Sequence, residues 1–160
     1  MNIEAIKVRK AIEARGGYLI HIYRQLKSDG IENSKEILCK AISGWGKSKL
    51  KNTYYSSPCE YIDMLENGNN SEVYEREVVS SNENEGYVKM SFCPLLKAWR
   101  DNGASDEEIR DLCDIASEGD YSSVSDNLKL TFDKRLADLD EYCLMKILRQ
   151  SKYRELVQCH

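Results

Sequence analysis

The sequence predicts an α+β fold: N-terminal helices, then an antiparallel sheet of two hairpins, with two helices inserted between the hairpins and packed on one face. Three observations lead there. Apolar residues recur at three- and four-residue spacing through the first third of the chain. The second half instead carries alternating or β-branched runs, such as Leu128, Leu130 and Phe132. These strand signals come in pairs separated by helical segments, which fits α+β better than the strict alternation of a parallel α/β sheet.

Taken in order, Tyr18, Leu19, Ile22, Tyr23 and Leu26 form one helical stripe, preceded by a less regular one at Ile3, Ile6 and Lys10. Gly16-Gly17 is expected to bend or interrupt that helix, and Gly30 to close it. A second helix opens at Asn33 with Glu36 three residues on, the capping-box pattern. Leu38, Ala41, Ile42 and Trp45 are its expected buried face, with Gly44 and Gly46 ending it and a loop over 47–57. Pro58 starts a short helix to Glu66. Strands over Glu72–Val79 and Gly86–Phe92 flank a polar loop, Ser80–Glu85. Cys93-Pro94 turns the second strand into a helix that stops at Gly103. Ser105 and Glu108 form another capping box, opening an acidic helix to about Glu118 with Gly119 as its stop. A second hairpin follows, Asn127–Lys134 and Glu141–Leu148, turning at Asp138–Asp140. Residues 149–160 read as a short helix or a frayed tail.

At 160 residues the chain is expected to be a single domain, comprising a helical half (1–67), an α+β half (68–148) and the short tail. Its net charge of −4 argues against nucleic acid as a partner. No apolar run is long enough for a membrane span or a secretory signal, so a cytoplasmic, reducing compartment is expected. Charge is uneven, with an excess of Lys and Arg in residues 1–53 and of Asp and Glu in 101–126. The acidic helix either docks on the basic segment or simply solvates its own face.

Six cysteines lack any CxxC pair, so a close-spaced zinc knuckle is excluded. Cys93 is the most informative. With Pro94 at the first helical position, Cys93 takes the N-cap, where free backbone N–H groups favour an anion and lower a thiol pKa. The alternative is a buried cysteine ending a strand. Cys113 shares the inward stripe of Ile109, Leu112 and Ala116, and Cys143 the strand face of Met145 and Ile147, so both read first as core residues. Cys39, Cys59 and Cys159 have no supporting context. Asp114, Asp120, Asp138, Asp140 and Glu141 are candidate general bases, provided burial lifts their pKa. His21 lies off the apolar stripe and His160 ends the chain, so a histidine-based triad or metal site is not indicated. Gly44-Trp-Gly46-Lys47-Ser48 lacks the strand and spacing of a phosphate loop.

Phe92-Cys93-Pro94, Trp99, Gly103, Asp111-Leu-Cys113-Asp114-Ile, Asp120 and Asp140-Glu-Tyr-Cys143 together resemble the L-2-amino-thiazoline-4-carboxylic acid hydrolase family. The Ile22-Tyr23-Arg-Gln-Leu26 run and Ala41-Ile42 followed by glycine extend the resemblance over about residues 18–148. It implies a hydrolase that opens a thiazoline ring with water to give a carbamoyl-cysteine. Under it, Cys93 is the expected nucleophile, Asp114 or Asp140 the proton carrier and Cys143 a further catalytic residue. Trp99, Arg100, Cys113 and Asp120 then contact substrate, with Arg100 gripping its carboxylate. The resemblance implies a small-molecule substrate and establishes no metal requirement; no cofactor is expected, zinc being the lesser option, and whether the chain acts alone or as a homodimer stays open. The rival expectation is a non-catalytic binding or sensing module in which Cys93, Cys113 and Cys143 hold a ligand or zinc, the fourth zinc ligand being Cys59, Cys39 or a carboxylate. One departure stands out: Leu139 replaces the family's glycine before Asp140, so a different turn is expected there.

Overall fold

A computed structural model describes residues 1–50, 53–67 and 70–150. Of the tail expected over 149–160, residues 151–160 with Cys159 and His160 lie outside these, while Arg149 closes the last strand. In chain order the elements are α1 (Ile3–Ser28), α2 (Ser34–Lys49), α3 (Pro58–Glu66), α4 (Asn70–Tyr74), β1 (Arg76–Ser81), β2 (Glu85–Met90), α5 (Pro94–Asp101), α6 (Asp106–Tyr121), β3 (Leu128–Lys134) and β4 (Cys143–Arg149), with a 3-10 turn at Leu136–Asp138. The strands form one antiparallel sheet in the order β1-β2-β4-β3, so the two hairpins join through β2 and β4. The fold is α+β as expected.

Several element ends differ from the expectation. Helix α1 runs unbroken through Gly16-Gly17. Gly16 serves close packing instead: a Cβ there would stand 2.9 Å from the Ala98 Cβ, and its carbonyl accepts the Trp99 indole N–H at 3.1 Å. The buried stripe is Ile12, Gly16, Ile20 and Tyr23, whereas Tyr18 is 73% exposed and Ile22 50%. Helices α2 and α6 likewise pass through Gly46 and Gly119, because these glycines are where the two helices touch. Asn33 caps α2 without a side-chain hydrogen bond, so the expected capping box does not form there; the one at Ser105–Glu108 does. Residues 70–74 are a short helix rather than the start of the first strand, which also shortens the hairpin loop.

One face of the sheet is buried, through Val88 and Met90 of β2, Leu128 and Leu130 of β3, and Met145 and Ile147 of β4. With Tyr61 and Ile62 of α3 these residues form one apolar cluster. A second cluster is entirely helical apart from the 3-10 turn, built on Ile20, Tyr23, Leu96, Trp99, Ile109, Leu112 and Ile115. Ion pairs fasten the helical layer. Arg24 of α1 binds Glu108 with two nitrogens at 2.8 and 3.0 Å, and Lys35 of α2 reaches both Asp111 and Asp114 at 2.7 Å. The acidic helix thus docks on the basic segment.

Candidate functional site

Between the helical cluster and the sheet cluster lies a cavity of about 430 Å³, walled by residues of both. Cys93 reaches it from the N-terminus of α5, Cys113 from α6 and Cys143 from the start of β4. Trp99 and Asp120 line it as well. The structure therefore brings five of the eight expected site residues to one space. It does not bring Asp114, Asp140 or Arg100. Asp114 is bound by Lys35 and by Arg135 at 2.5 Å, and those hydrogen bonds outweigh burial to hold its carboxyl below the usual range. Asp140 accepts the Arg135 backbone N–H at 2.9 Å and so shapes the turn. Arg100 is exposed at the end of α5 and does not line the cavity.

Cys93 occupies the N-cap as the Cys-Pro step predicts, and its sulfur accepts the Leu96 N–H at 3.5 Å. Its ionisation runs opposite to the expectation. Burial pushes the thiol up to about 12, and the amides of Leu96 and Leu95 recover only part of that; Cys143 and Cys113 push it further. Long backbone hydrogen bonds of this kind are too weak to offset removal of a thiolate from water. The resting group is a thiol. Cys113 is pushed up to about 11 by burial, with Arg135 opposing. Cys143 is raised by burial too, while the Leu136 N–H at 3.3 Å and Arg135 pull it down. Among the described residues, no three of His, Cys, Asp and Glu stand close enough together to share a metal ion.

Leu139 adopts φ +70°, the left-handed conformation that glycine takes freely, so a leucine occupies a glycine-type turn before Asp140. The conformation is held on both sides: Asp140 binds the Arg135 amide, and Arg135 clamps Asp138 at 2.6 Å and Asp114 through its guanidinium. Arg135 in turn forms part of the cavity wall beside the cysteines.

Further charge in the cavity wall comes from residues that the sequence reading passes over. Arg15 of α1, Lys49 of α2 and Arg76 of β1 line it together with Asp120. Asp120 presents open surface to this space, yet protein surrounds it, and that burial lifts its carboxyl above the ordinary value against the pull of Lys49, Arg76 and Arg15. Burial lowers Lys49, whose ammonium sits 3.6 Å over the Trp45 ring. Arg76 donates one nitrogen to the Leu65 carbonyl at 2.7 Å, and its buried Nε has no partner. The available signal was the positive excess of residues 1–53, to which Arg15 and Lys49 belong; Arg76 carries no such mark.

No curated protein and no solved structure matches the chain. The sequence profile of the L-2-amino-thiazoline-4-carboxylic acid hydrolases matches residues 9–147, which takes in most of α1, all of α2 to α6, nearly all of the sheet and every residue lining the cavity. On that match the chain belongs to the L-2-amino-thiazoline-4-carboxylic acid hydrolase family.

Proposed function

We propose that the protein is a hydrolase that opens a carboxylate-bearing cyclic amidine of the thiazoline type, using the cavity as its active site and Cys93 as nucleophile. The observation that carries this reading is the content of one mostly apolar space: the Cys93 sulfur at a helix N-cap, a carboxylate of raised pKa, and three cations, Arg15, Lys49 and Arg76, besides the already paired Arg135. The cations hold the substrate carboxylate, and Trp99 backs the cavity wall near Cys93.

Because the resting Cys93 is a thiol, the attacking thiolate has to be made on demand. The amidine of the substrate is itself a base. It takes the Cys93 proton, which gives a thiolate beside an amidinium, and the pair needs no separate general base. Sulfur then bonds to the amidinium carbon, the ring carbon–sulfur bond breaks, and the ring sulfur leaves with a proton as a thiol. Backbone N–H groups at the start of α5 face the charge as it passes through the Cys93 sulfur. Water next attacks the same carbon and gives its proton to Asp120. The Cys93 sulfur leaves and takes that proton back, and the product is a carbamoyl-cysteine. Asp120 suits the task because its carboxyl is raised above the ordinary aspartate value, which makes it a better proton acceptor.

The test is release of free thiol from 2-amino-thiazoline-4-carboxylate by the purified protein. Wild type is expected to release it, Cys93→Ser to fall by at least a hundredfold, and Asp120→Asn to lose activity while still binding substrate. Undiminished release by Cys93→Ser removes Cys93 from the reaction. The high thiol pKa favours a second reading, a cavity that binds the same acid without turning it over; it predicts binding by wild type with no thiol released.

A further inference from the structure

The cavity is large for the substrate that gives the family its name. A cavity of about 150 Å³ takes one benzene, or ~25 Å³ per non-hydrogen atom. At that ratio about 430 Å³ holds roughly 17 such atoms, and the bare thiazoline acid, with about nine, fills only about half of it. The surplus space has a definite chemistry. Its walls include the rings of Trp45, Tyr61, Tyr74 and Phe132, and Tyr61 is 4% exposed.

The charges sit at one boundary of this space. A second cavity of about 740 Å³ abuts the first, and Arg15, Lys49, Arg76 and Asp120 line both. Three cations therefore face one carboxylate at the junction, in a protein whose net charge is negative. Among the described residues none of the three makes an ion pair with a side chain, whereas Arg135 in the same wall is bound to Asp114 and Asp138. The buried, unpartnered Nε of Arg76 leaves a donor unfilled at this junction. A surplus of positive charge with one buried, unfilled donor is stable only at a cost, and an oxyanion supplied by a ligand removes that cost.

We infer that this protein takes a larger substrate than the bare thiazoline acid: an acid with a flat apolar body, its carboxylate held at Arg15, Lys49 and Arg76 and its body against the aromatic wall. The inference rests on reading the cavity as the active site and adds the size and polarity of what enters. Each part of such a ligand meets its complement, and the apolar part supplies binding that a small polar ring lacks.

Calorimetric titration of the wild-type protein at pH 7.5 tests this with three probes: naphthalene-2-carboxylate, the uncharged naphthalene-2-methanol, and butanoate. The naphthoate is expected to bind at least tenfold more tightly than either of the others. Arg76→Gln should reduce it to the affinity of the alcohol, and Lys49→Met provides the same comparison should loss of the Leu65 contact unfold the first variant. Equal affinity for naphthoate and alcohol, no naphthoate binding, or full binding by folded variants overturns the inference. If the thiazoline acid is hydrolysed while naphthoate fails to bind, the size inference alone falls; if naphthoate binds and no thiol is released, the hydrolytic reading falls instead.

Discussion

The Cys93 sulfur feels two opposed influences, the amides of a helix N-terminus and the low polarity of the cavity wall, and the second is the larger. With a pKa of about 12, only about one sulfur in ten thousand is ionised at pH 8. Alkylation of Cys93 by iodoacetamide in the ligand-free protein is therefore expected to rise about tenfold per pH unit between 7 and 9.5, followed by peptide mass spectrometry. A plateau below pH 9 would show a thiolate at rest and contradict the account. Leu139 is the other residue under tension. Holding a non-glycine residue at φ +70° costs roughly 1–2 kcal/mol, and its side chain, 64% exposed, recovers little by packing. Leu139→Gly should raise the unfolding free energy by up to ~1 kcal/mol, read as a higher urea midpoint, since relief of strain exceeds the extra chain entropy of glycine. The sequence shows that a leucine stands in a glycine position; only the Arg135 clamps explain why the turn survives it.

At the level of elements, the glycines of α2 behave as an internal control. A Cβ at Gly46 would stand 2.5 Å from the Gly119 carbonyl of α6, with the Ser122 hydroxyl closer still; at Gly44 it would meet nothing. Gly46→Ala is expected to cost about 1–3 kcal/mol and Gly44→Ala to add about 0.5–1 kcal/mol, read from urea unfolding. Equal effects would deny that the two helices touch there. These glycines also mark what a sequence can and cannot tell. Helix starts were legible, because Ser105, Pro58 and Cys93-Pro94 act through their own local hydrogen bonds and dihedrals. Helix ends were legible at Gly30 and Gly103, which take positive φ just past α1 and α5, but not at Gly46 and Gly119, because a glycine that stops a helix and a glycine that lets another helix approach look alike until the partner is in place. The exposed Tyr18 and Ile22 misled for a related reason: spacing identifies a stripe, but which of two adjacent stripes is buried depends on α5 and α6.

For the whole molecule, the basic N-terminal third and the acidic helix act as one electrostatic unit. The Arg24 hydrogen bond holds Glu108 down at about 2, and Lys35 and Tyr23 hold Asp111 below its usual range against burial. Carboxyls depressed in the folded state stabilise it above their unfolded pKa and lose that contribution as pH falls through the folded one. The urea midpoint should accordingly drop as pH is lowered from about 5 to about 2, and Lys35→Met should flatten that drop while lowering stability at pH 7. An unchanged pH profile in the variant would mean the pair contributes nothing. The same global arrangement makes the cavity, since it lies where the helical and sheet clusters meet and belongs to neither. Its cysteines, tryptophan and Asp120 could be nominated from sequence because their local context or the family pattern marks them. Arg15, Lys49 and Arg76 could not, because three cations far apart in the chain become a site only once α1, α2 and β1 converge.

Whether the Cys93 sulfur bonds to the amidine carbon of the thiazoline acid is read directly by intact-protein mass spectrometry during turnover. Ring opening retains every substrate atom, so the account predicts a species heavier than the protein by one whole substrate, located on the Cys93 peptide and missing in Cys93→Ser. Thiol release that proceeds with no such adduct, and equally well in the serine variant, would contradict it.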